Sequence, residues 1–228
     1  MSKPSSRRLL VFGLSVALVG LVVSALLLIG ARTGAPGAGA DDFGPTPAAR
    51  PPASPQQTPP RPSSADTSRD DVPPPPATTG EPASLSLPRL DVRAVVEPVG
   101  VAADGQVEIP DDPRQVGWYR FSPQPGSAQG STVIVGHVDA AGRGLGVLVA
   151  LNDVREGDRV LVRQKDGGVV AYRVSSRRTV GKKDLARTGA FRREGPPVLT
   201  LITCAGPYLA NRGGYQNNLV VTAVEAPT

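Results

Sequence analysis

Apolar and polar positions divide this chain into three regimes. From Leu9 to Ile29 no residue is charged and nearly all are apolar, with no polar face to meet water. About 20 helical residues cross a bilayer core, so residues 9–29 are predicted to form a transmembrane anchor. From 30 to 84 prolines dominate, including Pro73-Pro-Pro-Pro76, and almost nothing apolar is left to bury. Such a segment does not recover its ordering entropy and is read as an extended, disordered linker, partly polyproline II. From Leu85 to Thr228 short apolar runs alternate with Gly, Pro and Asp punctuation.

These runs predict strands at Leu85–Leu87, Val92–Val96, Val107–Ile109, Thr132–Val135, Arg159–Arg163, Val169–Val174, Val198–Thr203 and Leu219–Val224. Asp104-Gly105 and Asp166-Gly167-Gly168 suit tight hairpins, because glycine takes positive φ without strain. Helical signals are short: Asp111–Val116, Leu145–Leu151 and Lys183–Ala190. The expected fold class is all-β, a compact barrel with short helical insertions. The full organisation is then a basic N-terminus (1–8), an anchor (9–29), a Pro/Gly/Ala-rich linker (30–84) and a folded domain (85–228).

Composition narrows the function. Gly and Pro number 26 and 25, and aromatics are 4%, so the core must pack on Val, Leu, Ile and Ala. The net charge of +5 comes from basic residues spread along the chain. Nucleic-acid binding needs clustered basic residues with interleaved aromatics, and none are seen. Lys3, Arg7 and Arg8 precede the apolar run with no acid among them, which favours a cytoplasmic N-terminus and a domain outside the cell membrane. The alternative is a cleaved signal peptide, with Ala38-Gly-Ala40 as the processing site.

Candidate chemistry rests on two singular residues. The chain has one cysteine and one histidine, and each ends an apolar run: Ser131-Thr-Val-Ile-Val-Gly-His137 and Val198-Leu-Thr-Leu-Ile-Thr-Cys204. A lone thiol forms no intramolecular disulfide, and one His with one Cys is too few ligands for a structural metal, so no metal or cofactor is expected. Asp111-Asp112 is too little for a calcium site. The remaining use is a reactive thiol with an imidazole to move its proton. Attack on an amide also needs a donor for the developing oxyanion. Arg212 is the single basic residue after Cys204 and is the candidate. Asp139, two residues after His137, either orients the ring or caps a turn.

These residues resemble the sortase family. Leu199-Thr-Leu-Ile-Thr-Cys204 is similar to its thiol-bearing strand, and Gly136-His137-Val-Asp139 to its histidine site. The order His, Cys, Arg agrees, as do Gly157-Asp158-Arg-Val160 and Tyr215-Gln-Asn-Asn218-Leu-Val-Val221. The likeness is greatest to actinobacterial class F sortases, or to class E-like ones. It implies an eight-stranded barrel and a transpeptidase of Gram-positive cell walls. Such an enzyme cuts a Leu-Pro-X-Thr-Gly-like sorting signal on a secreted protein and holds the acyl group as a Cys thioester. It then passes that group to an amine of peptidoglycan or of a pilin lysine. Carried over, Cys204 is the nucleophile, His137 the proton carrier and Arg212 the substrate and oxyanion holder. Family members often place that arginine just before the last strand, where this chain has Gln216. Two other readings compete: an L,D-transpeptidase, which usually has a second His-Gly close before its cysteine, and a stalked binding domain with an inert thiol.

Overall fold

A computed structural model describes residues 41–45 and 80–226. The expected anchor at 9–29 and most of the linker lie outside the described residues. Among the described residues no helix is long and apolar enough to cross a membrane.

Eight strands close into a barrel. In chain order the strands are β1 (Pro82–Leu87), β2 (Val92–Val99), β3 (Val116–Tyr119), β4 (Ser131–Gly136), β5 (Asp139–Ala140), β6 (Gly144–Leu145), β7 (Arg159–Gln164), β8 (Val169–Gly181), β9 (Val198–Leu209) and β10 (Gly214–Glu225). Around the barrel they run β1-β2-β3-β4-β9-β10-β8-β7, with β7 closing on β1, while β5 and β6 form a separate small ribbon. Two barrel pairings are parallel, β2 with β3 and β4 with β9. The helical insertions are all 3-10 turns: η1 (Pro88–Leu90), η2 (Val147–Asp153), η3 (Lys182–Thr188) and η4 (Ala210–Arg212).

Alternation along the strands explains the core. Leu85, Leu87, Val160, Val162, Leu199, Leu201, Leu219 and Val221 point inward and are at most 1% exposed. Tyr172 is buried among them, and its hydroxyl accepts from Gly126 N–H at 3.1 Å. Burial pushes that phenol up to about 12. β4 and the first half of β9 are buried on both faces. Their inner residues fill the barrel, and Val133, Val135 and Ile202 pack outside it against Ala190, Leu185 and Phe191. A parallel pair covered on both sides reads as continuous apolar sequence, and these are the two runs that end in His137 and Cys204.

Several boundaries differ from the sequence reading, each for a local reason. Val107–Ile109 is not a strand: Val107 makes one isolated bridge to Val101 around the Asp104-Gly105 turn. Asp111–Val116 is not helical. Asp112 instead accepts from Arg114 N–H in a turn, and Val116 opens β3, which pairs with β2 and β4. η2 and η3 occupy the other two expected helices. β1 begins at Pro82, inside the stretch read as linker. Asp41–Pro45 from that stretch also meets the barrel: Phe43 and Arg177 exchange backbone hydrogen bonds of 3.0 Å each way. Thr179 N–H donates to Asp42 Oδ1 at 2.7 Å. Phe43 thus sits on the β8 edge that β7 leaves uncovered beyond Arg173. The Asp158 of the Gly-Asp motif has a structural role. Its carboxylate takes two bonds from Arg89 (2.6 and 2.7 Å) and one from Arg155 N–H, fixing η1 onto the start of β7.

Candidate active site

Strand pairing brings the histidine and the cysteine side by side. β4 and β9 run parallel, with Val135 opposite Ile202 as the last pair. Two residues further along each strand stand His137 and Cys204. Side chains two apart along a strand share a face, so the Cys204 thiol leaves the outer face on which Ile202 packs, while His137 follows directly on the end of β4. Thr203 Oγ1 donates to Gly136 O at 2.9 Å and holds the two strand ends together. Both His137 and Cys204 are half-buried.

His137 Nε2–H donates to Pro110 O at 3.0 Å. A carbonyl only accepts, so the ring proton is on Nε2 and Nδ1 is left to exchange a proton. The loop after the histidine is held closely. Gly146 N–H donates to Val138 O at 2.9 Å, and a Cβ on Gly146 would lie 2.1 Å from His137 O. Only glycine allows that approach.

Cys204 lines a cavity of about 370 Å³. Its apolar wall comes from Val107, Ile109, Val135, Leu185, Phe191 and Ile202, and its polar groups include Lys182, Lys183, Thr203 and Asn218. The sulfur is therefore not sealed inside the barrel. Burial pushes the thiol above its ordinary range. Of the charges near it, Lys182 opposes that shift and Asp139 adds to it. Asn218 is directly opposite Cys204 on β10 and is 8% exposed.

Asp139 binds neither of its expected partners. Its carboxylate accepts a 2.6 Å bond from Tyr215 Oη–H, which ties the segment after His137 to the start of β10. That bond pushes the Tyr215 phenol up to about 12. Tyr215 also meets Tyr208 edge-on at 5.1 Å.

Arg212 is placed differently from the other two. It ends η4 at the tip of the β9–β10 connection, is exposed, and is not part of the cavity wall. The side chain of Gln216 is turned back to backbone oxygens of Gly214 (2.6 Å) and Arg212 (3.2 Å). The structure thus sets the strand ends before His137 and Cys204 next to each other and leaves Arg212 exposed outside the cavity wall. Sequence reasoning missed Asn218 and Lys182. Asn218 carried a signal, a polar residue at the mouth of an apolar strand run, whereas Lys182 looked like ordinary solvated charge. Among the described residues no group of acids, His and Cys is arranged to hold a metal.

Comparison with known proteins places the chain in a family. Residues 85–226 match the family model described as the sortase domain. Among solved structures, sortase A from Corynebacterium diphtheriae is similar at 25% identity and TM-score 0.48, covering 66% of this chain and 63% of that one. Sortase C-1 from Actinomyces oris is similar at 21% identity and TM-score 0.49, covering 64% and 73%. Sortase C from Clostridium perfringens SM101 stands at 16% identity and TM-score 0.48, covering 66% and 73%. The match spans less than two thirds of the Corynebacterium chain. No curated protein sequence matches this one.

Proposed function

Since this chain belongs to the sortase family, we propose that it is a cysteine transpeptidase acting on sorting signals of secreted proteins. The observation that supports the reading is the pairing of β4 with β9, which brings the chain leading into His137 alongside the chain leading into Cys204, and Cys204 lines an apolar cavity. Cys204 passes its thiol proton to His137 as Sγ attacks the carbonyl carbon of a Thr-Gly-type bond in a Leu-Pro-X-Thr-Gly-like signal. The apolar wall of the cavity takes the aliphatic part of that signal, and burial there excludes water from the bond under attack.

Attack moves charge onto the carbonyl oxygen. Asn218, opposite the thiol, is a neutral amide donor for that oxyanion. His137 gives a proton to the departing glycine amine, which leaves a thioester between Cys204 and the acyl group. An incoming amine, from peptidoglycan or a pilin lysine, then attacks the thioester and returns its proton to the imidazole. The thiol is regenerated and a new amide bond replaces the old one. Arg212, exposed at the end of η4, contacts the substrate chain. The apolar run at 9–29 holds the enzyme at the membrane with its barrel outside the cell.

A quenched fluorescent sorting-signal peptide tests the reading in the full chain. Cleavage is expected from the unaltered protein and is expected to be lost in Cys204→Ala. An acceptor amine such as triglycine is expected to appear in the product. Undiminished cleavage by Cys204→Ala removes the catalytic reading.

A further inference from the structure

The cavity at Cys204 carries cations, and neither is Arg212. Lys182 and Lys183 both line it, from the start of η3. The barrel register explains why Lys182 comes close. β10 lies between β8 and β9, and Asn218 pairs with Val180 on one side and with Cys204 on the other. Asn217 pairs with Gly181 in the same way, and Lys182 follows at once. Two interstrand spacings, ~10 Å, separate the β8 and β9 backbones. The four-methylene stem of a lysine bridges most of that gap across Asn218.

We propose that Lys182 is the positioning cation of the nucleophile: from the start of η3 its ammonium group favours negative charge on the Cys204 sulfur, a role distinct from the substrate and oxyanion contact expected of Arg212. This rests on the reading of Cys204 as the nucleophile.

The groups facing the sulfur come from every neighbouring element. His137 stands at the end of β4, Asp139 on β5, Tyr215 and Asn218 on β10, and Lys182 and Lys183 on η3. Burial is the largest influence on the thiol and disfavours the thiolate. Asp139 works in the same direction, and Lys182 is the cation that opposes both. Asp139 is partly engaged by the Tyr215 hydroxyl. Lys182 is exposed, so its influence is partly screened and falls with salt.

A single cysteine makes the test specific, because alkylation of the full chain by iodoacetamide reports one sulfur. In detergent at low salt, the rate against pH is expected to have its midpoint above the ordinary value of about 8.5. Lys182→Gln is expected to move the profile to higher pH and to slow alkylation at pH 7 about threefold. Lys182→Arg restores the profile, and 0.5 M salt, on the order of the strong-screening regime, shrinks the Gln variant's shift. Arg212→Gln leaves the profile where it was. A Lys182→Gln profile that superimposes on the unaltered one, or a larger shift in Arg212→Gln, overturns the proposal. That failure is distinct from undiminished peptide cleavage by Cys204→Ala, which would remove the transpeptidase reading while the Lys182 effect on the thiol stood.

Discussion

Asn218 is where the chemistry of single residues is most exposed to test. The residue is 8% exposed and pairs directly opposite Cys204. Neither Arg212 nor the Gln216 side chain lines the cavity, and the latter is committed to backbone carbonyls. A donor preorganised in a water-poor site is worth more than the same donor in solvent, because no reorganisation is needed as charge develops. Asn218→Ala is expected to lower kcat of peptide cleavage by on the order of a hundredfold. Its thermal stability is expected to stay close to that of the unaltered chain, as checked by a melting curve. Asn218→Asp is expected to be worse, since a carboxylate offers no donor and its charge opposes both thiolate and oxyanion. A loss of activity under about twofold in Asn218→Ala would move the oxyanion role elsewhere.

At the scale of elements, one arginine joins three pieces of chain. Arg177 on β8 is 7% exposed. Its guanidinium donates to Asn152 O at 2.7 Å and Val154 O at 3.0 Å, closing the end of η2, and to Asp41 O at 3.2 Å through Nε. The Phe43 ring lies 5.1 Å from it. Orphan carbonyls at a helix end need a donor; Asn152 Nδ2 reaches back to Val149 O at 2.9 Å, and Arg177 serves the carbonyls of Asn152 and Val154. η2 also carries Leu148, which packs against Gly136 immediately before the histidine. Removing the donor while its acceptors stay buried costs about 1–3 kcal/mol per group left unsatisfied. Arg177→Ala is expected to lose about that much stability by denaturant unfolding. Phe43→Ala is expected to lose less, because the η2 carbonyls keep their partner. Equal losses would show that Arg177 acts through the docked Asp41–Pro45 segment alone.

At the scale of the molecule, the barrel closes only when β7 meets β1 and β10 fits between β8 and β9. Several of these contacts join residues far apart in the chain, so no part of the ring is complete without the rest. This predicts cooperative unfolding. Trp118 is the single tryptophan, is 4% exposed and packs in the barrel interior. Its fluorescence is expected to be blue-shifted in the folded protein. Its unfolding transition in urea is expected to coincide with that from far-ultraviolet circular dichroism. Separated midpoints would mean that one side of the barrel opens first.

Much of the fold and half of the candidate site are legible in the amino-acid order alone, for a physical reason. A segment buried on both faces must be apolar throughout, so Ser131–Gly136 and Val198–Thr203 announce themselves, and a lone His and a lone Cys at their ends stand out. The all-β class and the turns at Gly105 and Gly167 follow from the same local rules of alternation and positive φ. Boundaries are less legible: β8 and β10 run well past their apolar centres because their ends are held by pairing partners, not by their own composition. What only the tertiary structure decided is which distant segments become neighbours. Hydrophobic pattern states that a face is buried, but not against what. Lys182 and Asn218 line one cavity with Cys204 because β10 is inserted between β8 and β9, and Arg212 stands outside that cavity's wall because it lies in the β9–β10 connection.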